Sequence, residues 1–579
     1  MRADERRDAG AMRAAARWTG EAERPDGEAA AQAKREAERA DGETAAQAKR
    51  EAGPPDGETA ARAKREAEQP VGRAFGAGLF GVDALVVEVE AARARGEPRA
   101  AIVGQAEGAV REARERMRIA LQRAALWNAE DSELAALVIN LAPADVPKTG
   151  VGLDLPMCLA VAALKRVELA APLAATAAYG EVGLDGSLRP ARGTLSAAIA
   201  VRAAGFRALL VPPEAAREAA EVDGLEVLAV ACLRDAVDVL AGKRAALAPW
   251  TAPPPPLPRA DCDFAEVKGQ KSARRALEVA AAGSHNVLLI GPPGSGKTLL
   301  ARRLATILPP LDRAEALEVT RVHSAAGLVA AGGGLVRERP FRAPHHSVSG
   351  AGLVGGGSPP RPGEIALAAH GVLFLDELPE FPRAVLEMLR QPLEDGQIAV
   401  VRALGRARFP ARFVLVGAMN PCPCGWRGSR ARECRCTPSM VDRYQGRISG
   451  PLLDRIDIHV EVPALSGAEL AREAPGESSA AVRERVVAAR ALQEARNGRF
   501  GVVYNAHLPV RRLAEACALT PRAKGDLERA MNLLRLSARA HDRVLKVART
   551  LADLAGRADV DAPQVAEAVA YRALDRGGA

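Results

Sequence analysis

The stretch Val287-Leu-Leu-Ile-Gly-Pro-Pro-Gly-Ser-Gly-Lys-Thr298 constrains this chain more than any other. Four apolar residues run into a loop with glycine at three places, and then into Leu299-Leu-Ala-Arg-Arg-Leu304, which has helical spacing. That order predicts a strand, a tight turn and a helix. Gly291, Gly294 and Gly296 let the backbone N–H groups converge on the β- and γ-phosphates of a nucleotide, at the positive end of the following helix. Pro292, Pro293 and Ser295 complete the loop, Lys297 places a charge between the phosphates, and Thr298 offers its hydroxyl to Mg²⁺. A chain carrying this loop is an α/β protein that binds ATP or GTP.

Gly371-Val-Leu-Phe-Leu-Asp-Glu377 supplies the other half of an ATPase site, an apolar strand that ends in two carboxylates. Asp376 is placed to hold Mg²⁺ through water, and Glu377 to orient and deprotonate the attacking water. A second apolar strand, Arg412-Phe-Val-Leu-Val-Gly-Ala-Met-Asn420, ends in a polar amide. Between these strands, Ile398-Ala-Val-Val-Arg402 and Arg406-Ala-Arg-Phe409 flank Ala403-Leu-Gly405 and read as a hairpin. Its Arg402, Arg406 and Arg408 are either phosphate contacts for a single nucleic-acid strand or a solvated basic face without a ligand.

Charge permits the first reading without requiring it. The formal net charge is +8, and residues 1–70 hold 14 Lys/Arg against 16 Asp/Glu, which leaves 66 basic against 56 acidic residues in the rest.

With 579 residues the chain is too long for one core and implies several domains. Three copies of a 15-residue unit begin at Asp26, Asp41 and Asp56, each Asp-Gly-Glu-x-Ala-Ala-x-Ala-Lys-Arg-Glu-Ala in its first part. They hold no large apolar residue to bury against a neighbour, so residues 1–72 are expected to be a disordered tail rather than a solenoid. Residues 73–243 read as an α/β domain. Its expected elements are a strand over Ala84–Glu90, a helix over Glu107–Arg123, a strand over Leu137–Leu141 and a helix over Met157–Leu164. An Asp-Gly hairpin over Tyr179–Pro190 and strands at Ala208–Pro212 and Leu225–Leu228 follow. Six prolines between Pro249 and Pro258 mark residues 244–260 as a semi-rigid linker. The ATPase core then spans 261–463 and a helical lid 464–579. No apolar run approaches the 18 or so residues needed to span a bilayer, and the charged N-terminus has no apolar signal-peptide core, so a cytoplasmic protein is expected.

Cys422-Pro-Cys424 and Cys434-Arg-Cys436 bring four of eight cysteines into 15 residues. Four thiolates suit a tetrahedral structural Zn²⁺, and disulfides are the competing reading, disfavoured in a reducing compartment. His345-His346 reads as a hydrogen-bonded pair in an insertion loop rather than a metal site, and Gly355-Gly-Gly357 as a flexible segment without the lysine of a phosphate loop.

The order of elements in 73–243 resembles the domain shared by Lon-type proteases and ribosomal protein S5. Gly152 stands where the resemblance would place the nucleophilic serine, and Thr194-Leu-Ser-Ala-Ala198 offers no lysine base, so no peptidase activity is expected. Arg339-Pro-Phe-Arg-Ala-Pro-His-His-Ser347, Leu353-Val-Gly-Gly-Gly357, Pro362-Gly-Glu-Ile365, Leu373-Phe-Leu-Asp-Glu-Leu378, Met419-Asn-Pro-Cys-Pro-Cys-Gly425 and Ser449-Gly-Pro-Leu-Leu-Asp-Arg455 resemble the YifB/ComM family of magnesium-chelatase-like AAA+ ATPases.

The resemblance covers about Phe75 to the C-terminus. It implies a Lon-like N-terminal domain, an ATPase core and a helical lid, assembled as a homo-hexamer. It further implies that Asn420 senses the γ-phosphate, that Arg455 is an arginine finger acting on the neighbouring subunit, and that Arg539 is a second sensor reaching this chain's own nucleotide. The hairpin would project into the ring's channel. Family members associated with transformation are helicases that drive branch migration, so single-stranded or branched DNA is the implied partner. A chelatase-type subunit that couples ATP hydrolysis to metal insertion is the rival reading, and an ATP-dependent protease a weaker one.

Overall fold

A computed structural model describes residues 71–94, 99–106, 108–126, 136–144, 148–248, 262–402, 405–429 and 432–572. Residues 1–70 of the expected tail and 249–260 of the expected linker lie outside these residues.

The first strand, Gly72–Phe80 (β1), was not anticipated, because Gly72-Arg-Ala-Phe-Gly-Ala-Gly78 lacks the β-branched residues that announce a strand. Its glycines have a packing reason. A Cβ at Gly72 would lie 1.9 Å from the carbonyl oxygen of Ala160, and one at Gly76 would lie 2.6 Å from the Pro156 ring, so the helix Asp154–Ala163 can press on the strand only because the side chains are missing. β1 turns at Gly81 into Asp83–Ala94 (β2), antiparallel to it, and the sheet grows outward from this pair.

On one side β2 pairs with Ala136–Ala142 (β4), which pairs in parallel with Arg99–Val103 (β3). On the other side stand Thr176–Ala178 (β5), Ala208–Val211 (β8) and Glu226–Ala229 (β9), giving the seven-stranded order β3-β4-β2-β1-β5-β8-β9. Glu181–Val182 (β6) and Leu188–Arg189 (β7) form the expected hairpin, with Gly186 left-handed at φ 83° and the Ser187 N–H donated to Asp185 at 3.0 Å.

The second sheet is parallel throughout. Its order is Phe341–Arg342 (β11), Val372–Leu375 (β14), Val414–Met419 (β17), Val287–Ile290 (β10) and Ile458–Glu461 (β18). Three of these strands are continuous apolar runs with every residue buried, as a parallel sheet covered on both faces requires. One face packs against helices of the C-terminal region, Ser479–Asn497, Pro521–Leu534, Ala538–Leu554 and Ala562–Ala570, which share a core with Val287, Leu289, Val416 and Ile458.

A buried polar knot fixes the helix Ala538–Leu554 at the N-terminal end of β10 and β18. His285 bonds Asp457 at 3.1 Å and Thr550 at 2.8 Å, while Arg543 pairs with Asp457 at 2.8 Å. Burial would push the Asp457 carboxyl up, but Arg543 and His285 outweigh it and hold the group far below the usual carboxylate range.

The two sheets meet through side chains. Glu218, buried with its carboxyl pushed up by desolvation, accepts from the Leu195 N–H at 2.7 Å and from the Ser324 hydroxyl, and Arg321 pairs with Asp83. The β1–β2 turn contributes Leu79, Phe80 and Val82 to a core that also holds Leu288, Leu373 and Phe409. Gln397–Arg402 (β15) and Gly405–Pro410 (β16) form the hairpin read from the sequence, and their register explains the docking. Ile398 opposite Phe409 and Val400 opposite Ala407 are buried, whereas Ala399 opposite Arg408 and Val401 opposite Arg406 face away. The buried face lies on the turn, where a Cβ at Gly81 would sit 3.0 Å from Ala407.

A further expectation is corrected. Gly355–Gly356 (β12) pairs with Arg361–Pro362 (β13), so the glycine run is an ordered hairpin. A Cβ at Gly355 would lie 2.7 Å from the Arg361 carbonyl oxygen, which accounts for the glycine without invoking flexibility.

Candidate nucleotide site

β10 ends at Ile290, the loop turns through Gly294 at φ 76° and Gly296 at φ 89°, and the helix Lys297–Ile307 begins at once. Gly291 passes under the loop where any side chain would strike the Val462 carbonyl oxygen at 2.1 Å, while Gly294 and Gly296 face open space. The Ser295 hydroxyl oxygen is buried without a hydrogen-bond partner. Lys297 folds onto the loop, donating to the carbonyl oxygens of Gly291 at 2.7 Å and Pro292 at 2.9 Å, with the Asn420 side-chain oxygen at 3.4 Å. Desolvation depresses the ammonium, partly offset by Asp376 and Glu377.

Parallel pairing of β14, β17 and β10 brings the ends of all three strands to one place. Thr298 donates its hydroxyl to Asp376 at 2.8 Å, so the two oxygens expected to face Mg²⁺ already adjoin. Glu377 follows with a left-handed backbone, φ 52° and ψ 47°, and an exposed side chain. The residues fit a magnesium nucleotide: an open glycine cradle, an ammonium, a hydroxyl and two carboxylates at one end of a parallel sheet.

The cysteine segment lies on this loop. A Cβ at Gly425 would come within 2.7 Å of the Pro293 ring, with Asn420 beside it. Cys422, Cys424, Cys434 and Cys436 place their sulfurs within 4.8 Å of one another, with 3.4 Å between Cys422 and Cys424, 3.7 Å between Cys422 and Cys434, and 3.6 Å between Cys424 and Cys434. Sulfurs at the corners of a tetrahedron around Zn²⁺, with bonds of about 2.3 Å, stand about 3.8 Å apart, whereas a disulfide needs about 2.05 Å. All eight cysteines are free thiols, and backbone N–H groups of Trp426 and Arg435 draw the Cys424 thiol down to about 6.

Arg455 stands elsewhere. Its carbonyl oxygen accepts from Asn286, the residue before β10, and its guanidinium donates to the Pro451 carbonyl oxygen at 2.6 Å and pairs with Glu394. Asn286 and Gly291 lie about 16 Å apart along an extended strand, so Arg455 is at the end of the sheet away from this chain's phosphate loop. Arg539 pairs with Asp454 at 3.2 Å, beside Arg455 and one turn before Arg543 of the polar knot. Both arginines therefore occupy the distal end. The docking of its helix, fixed by His285 and Asp457, sets this resting place of Arg539. Arg402, Arg406 and Arg408 are exposed along the hairpin.

One neighbour of the catalytic pair escaped the sequence reading. The imidazole of His346 approaches the Glu377 carboxylate, Nδ1 to Oε2, at 3.7 Å. The signal was the spacing between Phe341 and Val372, which becomes informative only once the two segments are known to be parallel neighbours.

A parallel sheet with a phosphate loop at one end, paired acids on the next strand but one and a helical C-terminal region define a mixed α/β ATPase of the magnesium-chelatase-like AAA+ class. Residues 263–470 match the family described as magnesium chelatase, subunit ChlI, residues 476–572 its C-terminal part, and residues 88–215 the family described as subunit ChlI of Mg-chelatase.

The chain belongs to the YifB/ComM family within this class. It is 42% identical over 512 residues to competence protein ComM of Haemophilus influenzae, covering 86% of this chain and 96% of that protein. It is 41% identical over 499 residues to the uncharacterized protein YifB of Escherichia coli K12, covering 86% and 96%. The magnesium-chelatase 38 kDa subunit of Cereibacter sphaeroides is 27% identical over 197 residues, covering 31% of this chain and 56% of that protein. Family membership implies ATPase activity with ATP and Mg²⁺. Among the described residues, no helix is long and apolar enough to cross a membrane.

Proposed function

We propose that this protein is an ATP-driven motor that works on single-stranded or branched DNA as a cytoplasmic homo-hexamer, promoting branch migration during recombination, as in natural transformation. The observation that carries the reading is the basic hairpin. Arg406 and Arg408 line the outward face of β15–β16 and Arg402 is exposed at the end of β15, in a hairpin between the strand ending in Asp376-Glu377 and the strand ending in Asn420, in a chain 42% identical to a competence protein. A hairpin strung between the two nucleotide-reading strands moves when they move, and guanidinium groups on it grip phosphates without regard to sequence.

The domain organisation follows the sequence boundaries: a tail to residue 72, a Lon/S5-like domain over 73–243, a linker over 244–260, a core over 261–463 and a lid over 464–579. The N-terminal domain has no peptidase role, because Gly152, at the position of the serine, lies under the Tyr179 ring, 2.2 Å from where a Cβ would stand.

Bound Mg²⁺ would neutralise phosphate charge at Thr298 and Asp376. Lys297 leaves the loop carbonyl oxygens to bind phosphate, Glu377 takes a proton from water, and Asn420 orients that water. Arg455 acts on the nucleotide of the adjacent subunit. Arg539, at rest on Asp454, is the second sensor for this chain's own nucleotide, which it would reach by movement of its helix.

Zn²⁺ held by Cys422, Cys424, Cys434 and Cys436 would stiffen the segment that abuts Pro293. Metal analysis of protein purified without chelator is expected to find about one zinc per chain, lost in Cys434→Ser with Cys436→Ser. Metal-free, fully active protein with four titratable thiols in this segment would overturn that role.

Adding single-stranded DNA is expected to raise the rate of ATP hydrolysis. In Arg406→Ala with Arg408→Ala, DNA should bind more weakly with a flatter salt dependence and lose its stimulation, while basal hydrolysis survives. Unchanged affinity and salt slope in an assembled hexamer would reject the hairpin as the grip and favour a chelatase-type remodelling subunit.

A further inference from the structure

From Cys422 to Arg447 the sequence carries six arginines against two acids, Glu433 and Asp442, which is half of the chain's formal surplus of +8. Trp426 stands at the start of this run, on a turn that the backbone holds in place. Gly425 and Gly428 are left-handed, at φ 82° and 74°. The Gly425 N–H donates to the Cys422 carbonyl oxygen at 3.0 Å, and the Ser429 N–H to that of Trp426 at 3.0 Å. Trp426 and Arg427 sit between the two glycines, the ring half-buried and the guanidinium exposed.

Arg432 sets its guanidinium 5.9 Å from the centre of the Trp426 ring, within the reach of a cation–π contact. Arg427, Arg432, Arg435 and Arg443 are exposed and, among the described residues, none has a carboxylate in ion-pair reach, whereas Arg447 pairs with Glu380 at 2.9 Å. The basic surface runs on without a break. Thr437 caps the helix Pro438–Gln445, Gln445 donates back to the Pro421 carbonyl oxygen at 3.4 Å, and Arg443 and Arg447 share a cleft with Arg383.

Uncompensated guanidinium groups around an accessible indole suit a polyanion that also carries flat, uncovered rings. An acidic peptide would meet the charges and leave the indole unused, and a duplex hides the faces of its bases. Single-stranded DNA answers both features. We propose that Trp426, with Arg427, Arg432 and Arg443 around it, is a second contact for single-stranded DNA in addition to the β15–β16 hairpin: one unpaired base stacks on the indole, and the guanidinium groups take phosphates on either side. The inference rests on the DNA reading above.

The test is equilibrium binding of an oligothymidylate, and of a duplex of the same length, to assembled wild-type, Trp426→Ala and Trp426→Phe proteins and to Arg427→Ala with Arg432→Ala. Trp426→Ala is expected to weaken single-strand binding by about 5- to 150-fold, the range for one base stacked on an aromatic ring, and to leave duplex affinity unchanged. Trp426→Phe, which keeps a stacking face, stays near wild type, and oligothymidylate quenches its tryptophan emission less than that of wild type. In the double arginine variant the slope of log affinity against log salt falls by about 1.4, the value for two phosphate contacts on a single strand. ATP affinity reports whether the segment still packs on the phosphate loop, since a Cβ at Gly425 would stand 2.7 Å from the Pro293 ring.

Single-strand affinity kept in Trp426→Ala, or lost equally for strand and duplex, would overturn the stacking role. So would quenching as strong in Trp426→Phe as in wild type, a readout that survives even if the alanine variant misfolds. A folded Trp426→Ala protein that no longer assembles would make this surface a contact between subunits and overturn the proposal. Failure of the DNA reading looks different, because wild-type protein would then bind neither strand nor duplex. If the hairpin alone fails as the grip, Arg406→Ala with Arg408→Ala keeps its affinity while Trp426→Ala still loses it.

Discussion

Glu377→Gln protein is expected to bind ATP as tightly as wild type and to hydrolyse it roughly 10²–10⁴-fold more slowly, the usual contribution of a positioned general base. The geometry separates the two effects. Binding depends on the open cradle of Gly294 and Gly296, on Lys297 and on the Thr298–Asp376 pair, none of which contacts the Glu377 carboxylate in the ways described. Glutamine keeps the size and the left-handed backbone position while removing the proton acceptor. Nucleotide binding and single-turnover hydrolysis measured on the same protein check this, and a parallel loss of both would make Glu377 a structural residue.

Arg455→Ala is expected to lower turnover by about 10³–10⁵-fold with nucleotide binding nearly intact, as for other guanidinium groups that meet only transition-state charge. Its place at the far end of β10, away from this chain's phosphate loop, is why the effect is expected at a neighbour's site. Mixing Arg455→Ala with Lys297→Ala chains reads this directly, because some interfaces then pair an intact loop with an intact finger and activity partly returns. No recovery despite subunit exchange would count against action in trans. The resting partner of Arg455 is Glu394, and on the proposed role that ion pair would give way when the finger acts.

Local features were the legible ones. The strand, turn and helix at Val287–Thr298 appear where apolar run, glycine spacing and helical period place them, since each depends on neighbours within a dozen residues. The β15–β16 hairpin was readable for the same reason. β1 was hidden because its sequence is shaped by the helix pressing on it rather than by strand preference. The position of Arg539 depends on where a helix docks, which the buried His285–Asp457–Arg543 knot decides across more than 250 residues of sequence. His346 was misread as part of a self-contained pair because its partner belongs to another strand.

The apolar underside of the arginine hairpin has a consequence for how far the molecule can be divided. Ile398, Val400, Ala407 and Phe409 find their cover in Leu79, Phe80 and Val82, so a shortened protein starting beyond the prolines would bare them, and a fully buried Ile or Phe side chain is worth about 1.5–3 kcal/mol. A protein stripped of its first sheet would thus present sticky strands on the underside of the arginine hairpin. The N-terminal sheet is in this sense the bearing on which the hairpin rests, and it could not be removed without also rewriting the hairpin's underside.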